Sequence, residues 1–196
     1  MRTFQWMNES KMTEENGLIT IHAPAETDYF NYGLELNADG MPDESVINAP
    51  VYYTEITGDF VLRVKVSLPF EADYDACALL VIKDDRYWGK LCFEKTDFDT
   101  RAVVSVVTNV RSDDANGCNV DSDAVWLQIA RDGHYFAFHY SLDGEKYDMV
   151  RLFWLETDQP LKVGLLAQSP IGKGGPRYFE NLTIENKTVE DLRQGK

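Results

Sequence analysis

The segment YWGKLCFE, residues 87–94, places Trp88, Lys90 and Glu94 at alternate positions. In an extended strand such positions share one face, so an indole, an ammonium and a carboxyl would look out together. A carboxyl beside an indole can be desolvated, which raises its pKa and lets it donate a proton near neutral pH. Glycoside hydrolysis needs a second carboxyl roughly 5 to 9 Å away. Glu180 and Asp75 are possible partners, but no spacing nominates either, so no catalytic residue is assigned.

A second mixed pattern lies in VWLQIA and YFAFHY, where Trp126, Gln128 and His139 are polar or amphipathic positions among apolar ones. If Trp88, Lys90, Glu94, Trp126, Gln128 and His139 line one sheet, they form an aromatic-and-polar floor suited to sugar rings or peptides. Arg177 and Lys173 lie within the glycine-rich stretch SPIGKGGPRYF and would close over a ligand at the rim. The competing expectation is that the tryptophans pack in the core and that the segment 31–50 covers the mixed face.

Other chemistries find little support. The polar stretch SDDANGCNVDSD, residues 112–123, offers oxygen ligands of the kind hard cations want, but placing Gly117 sixth leaves no glutamate at position twelve. It reads as an exposed loop, and no metal or cofactor is expected. His134 and His139 fall on opposite faces by alternation, and no nucleophile elbow, phosphate loop or dinucleotide fingerprint occurs. Cys77 and Cys92 sit inside strand-like runs and read as buried thiols; with Cys118 the count is odd, which suits a reducing compartment.

The chain has 196 residues, with 19 lysines and arginines against 33 aspartates and glutamates, a net charge of -14. That field repels phosphate backbones and anionic membranes, so nucleic acid and membrane are not expected partners. An oligosaccharide or a protein ligand meets no such barrier, and the chain itself is expected to be a monomer or homodimer. The first residues contain no apolar leader core, and a cytoplasmic location is expected.

Short period-2 segments supply the scaffold. Strands are expected over 17–22, 51–56, 59–68, 74–82, 87–94, 101–108, 125–130, 135–140, 149–154, 161–168 and 178–185. The Asp132-Gly133 and Asp143-Gly144 pairs tolerate positive φ at hairpin corners. Helical periodicity is missing from the interior, which argues against an α/β architecture; only 187–196 looks like a short helix. The expectation is one all-β domain over 1–196, a sandwich of two antiparallel sheets.

The segments DGHYFAFHYSLDGEKY (132–147), VGLLAQSP (163–170) and YFENLTIE (178–185), with ETDYFNYG (26–33) and DFVLRVKV earlier, carry a family resemblance. The chain resembles the concanavalin A-like lectin/glucanase superfamily, and more closely a small intracellular family of unknown function labelled "regulation of enolase". The resemblance implies a jelly roll with one concave sheet and no settled activity. The superfamily's hydrolytic members carry Glu-x-Asp-x-x-Glu on one strand, and that triplet does not occur here. The sequence therefore favours a binding module using the concave sheet, with a glycoside hydrolase or lyase, or a purely structural module, as alternatives.

Overall fold

A computed structural model describes residues 2–196. Its strands are β1 (Gln5–Met7), β2 (Met12–Glu15), β3 (Leu18–Pro24), β4 (Tyr29–Phe30), β5 (Val46–Ile47), β6 (Val51–Ile56), β7 (Phe60–Ser67) and β8 (Ala76–Asp84). They continue as β9 (Tyr87–Lys95), β10 (Arg101–Asn109), β11 (Arg111–Asn119), β12 (Ala124–Asp132), β13 (Tyr135–Ser141), β14 (Asp148–Trp154), β15 (Leu161–Gln168) and β16 (Gly174–Glu185). Two seven-stranded antiparallel sheets form a concanavalin A-like jelly-roll sandwich, ordered β1-β6-β15-β8-β9-β10-β11 and β14-β13-β12-β7-β16-β3-β2.

Alternation explains both sheets. In β7, Phe60, Leu62, Val64 and Val66 point into the sandwich, where they meet Val125, Leu127 and Ile129 of β12 and Leu79, Leu91 and Phe93 of the opposite sheet. Removing each such side chain from water stabilises the fold by about 1.5 to 3 kcal/mol. The run ACALLVI in β8 has no polar alternation because both its faces are covered. Cys77, Leu79 and Val81 face the sandwich core, while Ala76, Ala78, Leu80 and Ile82 belong to a second apolar layer with Tyr29, Ala49 and Trp88. That layer lies on the outer face of the first sheet, beneath the segment leading from β4 to β6.

Gly89 is fixed by close approach. A Cβ there would lie 2.7 Å from the Phe153 ring and 2.9 Å from that of Phe138, so only glycine lets both phenyl groups lie against β9.

All eleven anticipated strands are present, with corrections elsewhere. The stretch 112–123 is not a loop: most of it forms β11, the edge strand of the first sheet, paired to β10 with a bulge. It has no apolar face, so periodicity could not reveal it. The expected helix at 187–196 is absent; a single turn at 192–195 closes with Gly195 N–H donating to Asp191 O at 2.9 Å. Asp191 holds this turn by accepting from the Arg193 and Gln194 amides, which outcompetes helix formation in so short a segment.

Candidate functional site

Three adjacent rows of side chains on the outer face of the first sheet build a hollow. Register places Gln168, Ala76, Glu94 and Ala102 in one row, Ala78, Cys92, Val104 and Asn116 in the next, and Leu80, Lys90, Val106 and Asp114 in the third. Small residues across the middle leave depth between longer polar ones. The resulting cavity of about 250 Å³ is lined by Asp28, Phe30, Tyr74, Lys90, Glu94, Val104, Val106, Asp114 and Gln168. An adjoining hollow of about 390 Å³ shares Tyr74, Glu94 and Asp114 and adds Asp97, Phe98 and Asn116.

Lys90 is 2 % exposed, yet its ammonium is satisfied. Nζ donates to Tyr29 O and to Gln168 Oε1, each at 2.9 Å, and to Asp28 Oδ1 at 3.4 Å. Burial alone would lower the Lys90 pKa, but the attraction of Asp28, Cys92 and Glu94 more than offsets it and the net shift is upward. Glu94 is different. It is 8 % exposed, and its carboxyl opens into the cavity with no side-chain hydrogen bond among the described residues and with its oxygens still reached by solvent. Burial pushes its pKa up to about 8; Lys90 pulls it back, and Asp114, Asp28 and Asp97 push it further up. Burial also raises Asp114, against a pull from Lys90. At neutral pH the cavity thus presents Glu94 as a carboxylic acid, able to donate and accept, in company with the Asp114 carboxyl.

Aromatic rings frame this polar floor. Phe30 lies 6.0 Å from the Lys90 ammonium, ring centroid to Nζ. Tyr74 stands at the mouth with φ of 65°, a left-handed conformation rare for a bulky residue, and Phe98 is 72 % exposed beside it. Strain of this kind costs about 1 to 3 kcal/mol and clusters at ligand sites. The Tyr74 amide donates to Lys95 O at 2.6 Å and its carbonyl accepts from Gln168 Nε2 at 3.1 Å, which holds the main chain at this position.

The seven sequence-derived site residues do not form one surface. Trp88, Lys90 and Glu94 do share the outer face of β9, but Trp126, Gln128 and His139 lie on β12 and β13 of the other sheet. Alternation shows which residues share a face of one strand, and is blind to which strands share a sheet. Trp88 is fully buried against Tyr29, centroids 5.0 Å apart, so part of the expected floor is covered. The cover comes in part from the 31–50 segment, through Ala49. On the second sheet the cover is the chain's own end. Gln128 Nε2 donates to Gly195 O at 3.1 Å, and His139 Nε2 lies 2.7 Å from Leu192 O. Trp126 packs under the 144 turn, where a Cβ on Gly144 would approach its indole to 2.8 Å.

Arg177 is not at a rim. It is 1 % exposed and pairs with buried Asp75 at 2.9 Å, while donating twice to Gln168 O. This also removes Asp75 as a partner for Glu94, and Glu180 lies on the second sheet beside Lys65. Asp28, Phe30, Tyr74, Asp114 and Gln168 were missed, because they come from two loops, the two-residue β4, a featureless edge strand and a strand end.

The chain from residue 6 to residue 187 matches the family model described as a protein of unknown function, DUF1349. The chain belongs to the DUF1349 family. Among relatives, it is 25% identical over 195 residues to "Regulation of enolase protein 1" of Saccharomyces cerevisiae, covering 95% of this chain and 93% of that one. Among solved structures, it is similar to a functionally unknown protein from Saccharomyces cerevisiae, with a TM-score of 0.82, 23% identity, and 95% and 97% of the two chains covered. It also resembles the carbohydrate binding module CBM66 from Bacillus subtilis, with a TM-score of 0.57, 11% identity, and 92% and 94% covered. These likenesses place the DUF1349 chain in the sandwich fold along nearly its whole length. Among the described residues of this DUF1349 member, no group of three or more His, Cys, Asp or Glu is arranged to hold a metal, and no helix is long and apolar enough to cross a membrane.

Proposed function

We propose that this protein is a binding module that takes a carbohydrate into the cavity over β8 to β11, with Glu94 and Asp114 bonding hydroxyls and Phe30, Tyr74 and Phe98 flanking the ring. The observation that carries this reading is the largely buried Glu94, whose carboxyl opens into a cavity framed by aromatic side chains. A pyranose offers both needs at once: hydroxyls that donate and accept, and an apolar C–H face for an aromatic ring. The whole-length likeness to a carbohydrate binding module supports the fold's suitability for this role. Lys90 and Glu94 remain from the sequence-derived set; Trp88, Trp126, Gln128, His139 and Arg177 act in the scaffold.

Titration with a panel of oligosaccharides, followed by calorimetry, tests the reading. Binding by one class, weakened at least tenfold by Tyr74→Ala and by Glu94→Gln, is expected. Absence of binding across the panel, or binding indifferent to both substitutions, contradicts it.

A hydrolytic use of the same cavity is the second reading. It is favoured by the burial that pushes the Glu94 pKa up to about 8 in a cavity shared with Asp114. Release of aryl alcohol from aryl glycosides, lost in Glu94→Gln, would select it over simple binding.

A further inference from the structure

Resting on the carbohydrate reading of this cavity, we propose that the preferred ligand is an amino sugar, whose ammonium seats against Glu94 with Asp114 across the cavity. The charge inventory leads there. The groups facing Glu94 are Lys90 and Cys92 on its own strand, Asp114 on β11, Asp97 in the following turn, and Asp28 and Tyr74 from the covering loops. Lys90 is the cation among them, and its three N–H groups are engaged by Tyr29 O, Gln168 Oε1 and Asp28. Its charge is matched by Asp28 at 3.4 Å, so neither a donor nor net positive charge is left for a ligand. Arg151 of β14, which reaches across to β11, is held by Asp113 at 3.3 Å.

What remains is acceptor capacity, with the proton on Glu94 as its one donor. Glu94, 92 % withdrawn from solvent by its 8 % exposure, opens its carboxyl into the cavity, and Asp114 and Asp97 add two more carboxyls. A neutral sugar brings hydroxyls but no charge to offset these groups. A protonated amine brings three donors and a positive charge, and its approach past Phe30, Tyr74 and Phe98 is favoured by the ring faces. Phe30 already stands 6.0 Å from one ammonium, that of Lys90. The overall charge of -14 draws such a ligand in. Near neutral pH Glu94 is protonated, so seating the ammonium expels that proton to solvent and leaves an ammonium–carboxylate pair.

Three trisaccharides with the same β-1,4 linkage test this: the glucosamine trimer, the N-acetylglucosamine trimer and cellotriose, which differ at C2. Calorimetry at pH 6 and physiological salt, in two buffers of different ionisation enthalpy, reads affinity and proton release together. The glucosamine trimer is expected to bind at least tenfold tighter than either other sugar and to release close to one proton. Glu94→Gln abolishes the release and the preference, while Glu15→Gln, on the far sheet, changes neither. If cellotriose or the acetylated trimer binds as tightly, the amine preference is wrong while the carbohydrate reading stands. If no trimer binds, the amino-sugar seat is wrong, and the panel titration decides the carbohydrate reading. If the preference persists in Glu94→Gln with no proton released, general attraction to an acidic chain explains it and the proposed seat is refuted.

Discussion

Lys90 and Gln168 meet across the intervening strand β8, Nζ to Oε1 at 2.9 Å, although they stand 78 positions apart in the chain. The contact ties β9 to the end of β15 on the outer face of the first sheet. Gln168 passes the constraint on by donating from Nε2 to Tyr74 O, and its own carbonyl holds Arg177. The floor of the cavity, its aromatic mouth and the buried Arg177–Asp75 pair are therefore one connected polar network.

Lys90→Met is expected to destabilise the fold by about 3 kcal/mol, the scale for removing one partner of a buried pair. Gln168 Oε1 and Tyr29 O would each lose a charged donor. Urea denaturation, comparing midpoints at constant slope, checks this, and an unchanged midpoint would show the network to be dispensable.

Glu94 makes stability depend on pH in a stated direction. Its folded pKa of about 8 lies above the ordinary 4.5, so the folded state holds a proton that the unfolded chain has lost between those values. Stability must then fall as pH rises through this window, by at most about 1.4 kcal/mol per pH unit from this group. Glu94→Gln, which cannot ionise, should match the native chain near pH 5 and exceed its stability at pH 8.5. Thermal melts at both values decide the matter; parallel pH profiles for the two chains would exclude a protonated Glu94.

How much of this was readable beforehand depended on what each residue does to the hydrophobic pattern. Strands with one buried face, such as β7, announce themselves, and β8 does so as a continuous apolar run. The outer face of β9 was legible for the same reason, which is why Lys90 and Glu94 were found. β11 has no buried apolar stripe and joins the sheet through its pairing with β10, so Asp114 was hidden in what reads as a polar loop. Arg177 misled because a charged residue after a glycine-rich turn usually stays wet, whereas here Asp75 compensates it in the interior. Sheet membership was the deeper gap: nothing local to Trp88 or Trp126 says that they stand on opposite sheets.

The chain end over the second sheet makes a separate expectation. Burial chiefly lowers the His139 pKa, with Arg63 adding to the effect and the contact to Leu192 opposing it. Removing residues 188–196 uncovers the ring and should move its pKa up toward the ordinary value of about 6.5. Titration of the His139 ring protons by NMR in both chains measures the change. A value unmoved by truncation would mean that the tail does not lie on this face in solution.

The central claim is that ligand recognition takes place on the outer face of the first sheet, between Glu94, Asp114 and Tyr74. Chemical-shift mapping with a bound oligosaccharide tests it most directly. Perturbations concentrated on β9 to β11, Tyr74 and Gln168 are predicted, with β12 and β13 unaffected. Shifts centred instead on Trp126, Gln128 and His139 would contradict the account.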